Sequence, residues 1–196
     1  MMEVWVYLNF SWVLNNGVQS IEKKILTLKE DRGHKHDDRR TRVAIYFDAA
    51  FDQQSFRSVS GLVVRDVGGK ILASKSVLHS DVASPFAAEA HAGLQAIRLG
   101  ISMGFNVLKI VGNSRTVIKK CQTADCDRSI IGALIRDIQS TKVHFQEIVF
   151  HFISKIKNTY AHILAKEALK KGEGHYLMGG IPSYVHRTLE KHWPRL

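Results

Sequence analysis

Cysteine is scarce in this chain, which holds only Cys121 and Cys126, separated by four residues. Two thiols cannot build a disulfide framework, and their single spacing lacks the paired ligands of a zinc site. They read as reduced thiols of an intracellular, soluble protein, nuclear or cytoplasmic. Proline is also rare, at 3 residues, and with 14 glycines among 196 residues the chain is neither collagen-like nor proline-rich. No apolar run approaches the roughly 18 consecutive residues that a membrane-spanning helix needs. The first residues are apolar but start on an acid, Glu3, with no Lys or Arg among them and no small-residue cleavage site, so a signal peptide is not expected. Acidic residues are in deficit too: 18 Asp and Glu face 28 Lys and Arg, for a net charge of +10. That balance makes polyanions, nucleic acid above all, the partner class to consider before any membrane surface.

What is present is enough for one globular domain with tails, since 45% of the residues are apolar. Residues 1–42 carry 8 basic and 6 acidic groups, 43–154 carry 12 and 9, and 155–196 carry 8 and 3, so half of the net charge lies in the last stretch. Residues 29–42 contain no apolar side chain and read as a mobile charged linker. Within them, His34, Lys35, His36, Asp37 and Asp38 have metal-ligating types but read as a solvated charge cluster. Before the linker, Ile21, Ile25 and Leu28 recur at helical spacing, giving one short amphipathic helix. The expected organisation is therefore an N-terminal helix and charged linker over 1–42, a domain over 43–171 and a basic C-terminal extension over 172–196.

From Val43 the period changes to two, with Val43, Ile45 and Phe47 on one face and Ala44, Tyr46 and Asp48 on the other. Strands at 58–65 and 70–78 follow, joined by Asp66, Val67, Gly68 and Gly69 in a tight antiparallel turn. Ser84 and Pro85 supply the N-cap and first position of a long helix that Gly104 ends. Residues 107–111 form a short strand that is apolar apart from Lys109, 114–120 and 129–140 read as helices, 145–153 as a strand, and 159–171 as a helix stopped by Gly172. Strands that follow helices return by crossovers and run parallel to a neighbour. The expectation is an α/β fold with a five-stranded mixed sheet, three antiparallel strands and then strands joined by helices, flanked by helices. The extension turns at Gly179 and Gly180 and restarts a helix at Ser183, with Tyr184, Val185, Leu189 and Trp193 as an apolar stripe that packs back on the domain.

Three polar positions stand where such a sheet presents groups to a ligand: Asp48 on the first strand, Glu89 at the start of the long helix and Asn113 past the fourth strand. Spacing alone leaves two readings open, a shared site or a turn former and a helix-dipole partner.

Five ordered blocks decide more. They are Phe47-Asp48-Ala49-Ala50-Phe51-Asp52; Gly61-Leu62-Val63-Val64-Arg65-Asp66 with Gly69; Ala88-Glu89-Ala90-His91-Ala92-Gly93-Leu94; Val111-Gly112-Asn113-Ser114-Arg115-Thr116-Val117-Ile118; and Asn158-Thr159-Tyr160-Ala161-His162-Ile163-Leu164-Ala165-Lys166. Over residues 43–171 the chain resembles a type 1 ribonuclease H domain of the plant ribonuclease H-like family, related to the segments associated with reverse transcriptase in retroelements. The resemblance implies an endoribonuclease that cuts the RNA strand of RNA–DNA hybrids by two-metal hydrolysis, with Mg²⁺ or Mn²⁺ held by four acids. Matched by position, the first two acids are Asp48 and Glu89. The third, in a Glu-Ser-Asp-Ser-like motif, is Asn113 here, and the fourth, in an Ala-Asp-x-Leu-Ala motif, is His162.

These departures leave two carboxylates, Asp48 and Glu89, with the uncharged oxygen of Asn113 as third ligand, against the +4 of two dications. Metal is therefore expected to bind weakly and cleavage to be poor. Lys119, Lys120, Lys155 and Lys157 are the candidates for phosphate contact. The expected partner is an RNA–DNA hybrid or duplex and not a membrane, with the chain a monomer. The alternative is a catalytically inactive binding or protein-interaction module derived from a retroelement.

Overall fold

The computed structural model describes residues 43–123 and 129–192. The amphipathic helix and linker before Val43, Cys126 and Trp193 lie outside the described residues. Strands β1 (Val43–Asp52), β2 (Arg57–Arg65) and β3 (Ile71–His79) form the antiparallel meander. Helix α1 (Pro85–Ser102) leads to β4 (Val107–Gly112), then α2 (Arg115–Gln122) and α3 (Gly132–Thr141) lead to β5 (Glu147–Phe152). Helix α4 (Thr159–Lys171), β6 (His175–Met178) and α5 (Ser183–His192) complete the described chain.

The sheet order is β5-β4-β1-β2-β3-β6, with β4 parallel to both β1 and β5 and the other pairs antiparallel. The class is therefore the expected mixed α/β one, but six strands stand where five were expected. The sixth, His175–Met178, is too short to show alternation and lies on the sheet edge, where half its backbone groups need no partner. It is held by Ser76, whose Oγ lies 2.7 Å from His175 Nδ1 and accepts from the His175 N–H at 3.0 Å.

Local chemistry explains the boundaries that matter for the site. The Ser84 hydroxyl accepts from the Ala87 N–H at 3.1 Å and Pro85 opens α1, which sets where Glu89 emerges, in the second turn. Gly172, at φ 68, takes the left-handed position that ends α4.

The period-two pattern of β1 divides the core. Ile45 and Phe47, with Leu62 and Val64 of β2, pack in the larger cluster that includes Ala90, Leu94 and Ile97 of α1. Val63 packs with Ala161, Ile163 and Leu164 of α4, and with Ile181 and Val185 of the extension, against Tyr46. Asp48, on the Tyr46 face, is thus aimed at α4. Gly61, its partner across β2, lets α4 lie directly on the sheet: a Cβ there would stand 2.3 Å from the Ala161 carbonyl oxygen. Among the described residues no helix is long and apolar enough to cross a membrane.

Candidate functional site

Asp48 is 2% exposed, which is an expensive place for a carboxylate unless its oxygens are satisfied. Its Oδ1 accepts from the Ala49 N–H at 2.9 Å, and Oδ2 lies 2.8 Å from His162 Nδ1. Because an ionised carboxylate can only accept, Nδ1 of His162 carries the proton and donates it. His162 lies in the first turn of α4, so the packing of α4 over Gly61 delivers the imidazole to β1.

Glu89 meets the same carboxylate from α1. Burial first, then the charge of Asp48 and a hydrogen bond with it, push the Glu89 carboxyl from 4.5 up to about 9, against a smaller opposing pull from Lys155. Glu89 is consequently protonated at neutral pH when nothing cationic shares the site. Its Oε2 is buried without a hydrogen-bond partner.

Asn113 follows the last residue of β4, whose Gly112 pairs with Phe47, the neighbour of Asp48. Its side-chain oxygen accepts from Asn158 Nδ2 at 3.0 Å, and the same Nδ2 donates to the Phe47 carbonyl at 2.6 Å. Asn158 therefore ties β1, the end of β4 and the start of α4 together. Sequence reasoning missed this role, although the residue type before a helix was visible. An Asn there reads as an N-cap, yet its side chain makes no capping bond to α4 and turns inward.

The structure thus sets Glu89 and His162 each against Asp48 and ties Asn113 to the same strand end through Asn158. Lys155 and Lys157 lie in a 3-10 turn just before α4, both exposed, with Lys155 near enough to influence Glu89. Lys119 and Lys120 lie further off, in the last turn of α2, Lys119 exposed and Lys120 half-buried.

A divalent cation is testable against this donor set. Glu89 Oε2 offers a buried oxygen with no other partner, and Asp48 adds anionic charge. Asn113 Oδ1 is engaged by Asn158, and His162 brings a proton where a fourth carboxylate would bring charge. Among the described residues no three His, Cys, Asp or Glu side chains converge to hold a metal. The donors are the oxygens that a hard dication prefers, and two carboxylates carry the charge to offset one such ion, not two. Cys121 has no part in the site: it is buried, and burial pushes its thiol up to about 12.

Comparison with known proteins gives a consistent result. A profile of the family described as reverse transcriptase-like matches residues 46–168. The RNase H1 of the halophilic archaeon Halobacterium salinarum NRC-1 is 24% identical with a TM-score of 0.61, over 66% of this chain and 98% of that one. The N-terminal RNase H domain of a Mycobacterium tuberculosis protein is 18% identical with a TM-score of 0.61, over 67% of this chain and 95% of that one. LC11-RNase H1, isolated from compost and solved in complex with an RNA/DNA hybrid, is 21% identical with a TM-score of 0.60, over 67% and 99%. These structures establish a shared fold. No curated protein matches the chain.

Proposed function

The chain belongs to the reverse transcriptase-like family, and from that premise and the geometry of its site we propose a ribonuclease H-type nucleic-acid-binding domain whose cleavage of RNA–DNA hybrids is weakened. The observation that carries this reading is the placement of Glu89 and His162 against Asp48, with Asn113 tied to the same strand end through Asn158; by the resemblance, Asn113 and His162 stand where two further acids are expected. Asp48 and Glu89 would hold Mg²⁺ or Mn²⁺ weakly, and such a cation would supply activation of water and of the scissile phosphate.

The chain's own side chains do the rest. His162, 28% exposed, keeps Asp48 oriented through Nδ1 and leaves Nε2 as an acceptor for a water or a sugar hydroxyl. Lys155 and Lys157 neutralise backbone charge beside the site, and Lys119 and Lys120 extend the basic surface along α2. The hybrid bound in the LC11-RNase H1 structure supports the partner class. The net charge of +10 supports it independently.

The deciding experiment is cleavage of a labelled RNA–DNA hybrid in Mg²⁺ and in Mn²⁺ by the full chain, beside Asn113→Asp, with hybrid binding measured across salt. Slow cleavage that Asn113→Asp accelerates supports the reading. Binding that falls with salt, with no cleavage by either protein, selects the inactive module derived from a retroelement. Absence of binding overturns both.

A further inference from the structure

On the α4 face of the sheet, next to the acidic site, a pocket of about 190 Å³ is lined by Tyr46, Val63 and Arg65 of the sheet and by Lys157, Asn158, Thr159 and Tyr160 at the entry to α4. It exceeds the roughly 150 Å³ cavity that admits a benzene ring. Its residues converge from three elements: Tyr46 is two positions before Asp48 on the same face of β1, Val63 lies on β2 and Arg65 ends it, and the others span the entry to α4. At about 3.3 Å per strand residue, Tyr46 lies roughly 7 Å along the strand from Asp48.

The pocket has a definite chemistry. The guanidinium of Arg65 lies 4.6 Å from the ring centre of Tyr160 and 5.5 Å from that of Tyr46, so two aromatic rings hold it in place. Among the described residues no carboxylate pairs with it. Lys157, exposed, adds a second positive charge. Asn158, 2% exposed, commits its Nδ2 to Phe47 and Asn113 and keeps Oδ1 as a buried acceptor with no partner. Two cations without an acid match a dianion better than the single charge of a phosphodiester, and a guanidinium fixed beside two rings can offer its fork to two phosphate oxygens. An unsatisfied acceptor at the same wall calls for a ligand that also carries a hydroxyl.

We propose that this pocket is a subsite for a phosphate monoester on a sugar, the 5′-phosphorylated ribonucleotide end of a strand lying across the site. The inference rests on the proposed nucleic-acid reading and deepens it. Its neighbourhood suits that role, since roughly 7 Å is within one or two nucleotides along a strand.

The test uses the full chain in chelator, so that cleavage is off. Two 3′-labelled RNA 12-mers of one sequence, with 5′-phosphate or 5′-hydroxyl, are titrated by fluorescence anisotropy, and adenosine 5′-monophosphate and adenosine are titrated by NMR. The expected result is about tenfold tighter binding of the 5′-phosphorylated RNA, an advantage that Arg65→Gln and Lys157→Gln each reduce below twofold. Should Arg65→Gln fail to fold, Lys157→Gln, on an exposed side chain with melting unchanged, decides alone. Adenosine 5′-monophosphate binding without a preference between the RNAs keeps the monoester pocket and names a free nucleotide as its source. If neither RNA nor hybrid binds while the nucleotide does, the pocket stands and the hybrid reading falls. Equal affinity for the two RNAs, with adenosine and its monophosphate indistinguishable, overturns the proposal even where hybrid binding persists.

Discussion

Replacing Glu89 by Gln should stabilise the fold while removing the cation's hold, and the two effects have different pH and metal dependence. Burial and the charge of Asp48 hold the Glu89 carboxyl at about 9, so between pH 4.5 and about 9 the folded chain keeps a proton that the unfolded chain has released. The wild type therefore loses stability as pH rises across that window. Gln mimics the protonated acid at every pH and can keep a donor toward Asp48. With each pH step above the ordinary carboxyl value worth about 1.4 kcal/mol, the gain at pH 7 is at most roughly 3 kcal/mol. Relaxation of a half-buried site reduces this to ~1–3 kcal/mol, or about 2–10 °C in Tm for a domain of this size. The assay is thermal unfolding of both proteins in chelator from pH 4.5 to 8. The variant's advantage should be near zero at pH 4.5 and grow steadily. Added Mg²⁺ should raise the wild-type Tm and leave the variant unmoved, because a ligand bound to the native state stabilises it. A Tm difference that is constant with pH, or one that shrinks as pH rises, refutes the reasoning.

Three further outcomes follow from the same geometry. Asn113→Asp keeps the acceptor for Asn158 and adds an anionic oxygen, so Mg²⁺ affinity and hybrid cleavage should both rise, by about tenfold if the added charge contributes about 1.4 kcal/mol; calorimetric titration with Mg²⁺ checks the first without relying on activity. Asp48→Asn should abolish any residual cleavage and the Mg²⁺-induced rise in Tm, as read by hybrid gel assay and thermal shift. Gly61→Ala would place a Cβ 2.3 Å from the Ala161 carbonyl and 2.7 Å from the Ala165 nitrogen, both backbone atoms that cannot swing aside, and should cost about 3 kcal/mol or more in urea unfolding.

The sequence made the sheet legible where local chemistry and long-range packing agree. The alternation over Val43 to Asp48, the Gly68-Gly69 turn, the Ser84-Pro85 cap and the Gly172 stop each impose a conformation within a few residues, and each recurs in the structure. The sixth strand was not legible, because four edge residues satisfied by pairing with Ala73 to Ser76 have no periodicity to show. At the site, spacing placed Asp48, Glu89 and Asn113 near strand and helix ends, but only the resemblance pointed to His162. Asn158 and the Arg65 pocket were hidden for another reason. Their chemistry arises from contacts more than 40 residues apart, such as Asn158 to Asn113 and Arg65 to Tyr160, which no local pattern encodes.

On the proposed reading, Asn113 and His162 replace two acids without cost to the fold, because they exchange charge while keeping hydrogen-bond geometry. Asn113 accepts from Asn158 as an Asp would, and His162 meets Asp48 with a donor. The buried carboxylate is thereby stabilised from within the protein, by the Ala49 N–H and the His162 N–H, where paired acids would otherwise require an external cation to offset their repulsion. Four close carboxylates would repel one another in the absence of a cation; here burial and the charge of Asp48 push Glu89 toward its protonated form instead. The same exchange that lets the chain hold the site together without metal removes the charge that two metals would need. On the proposed reading, affinity for nucleic acid rests on the exposed lysines and on Arg65 and not on that charge, so that binding outlasts cleavage.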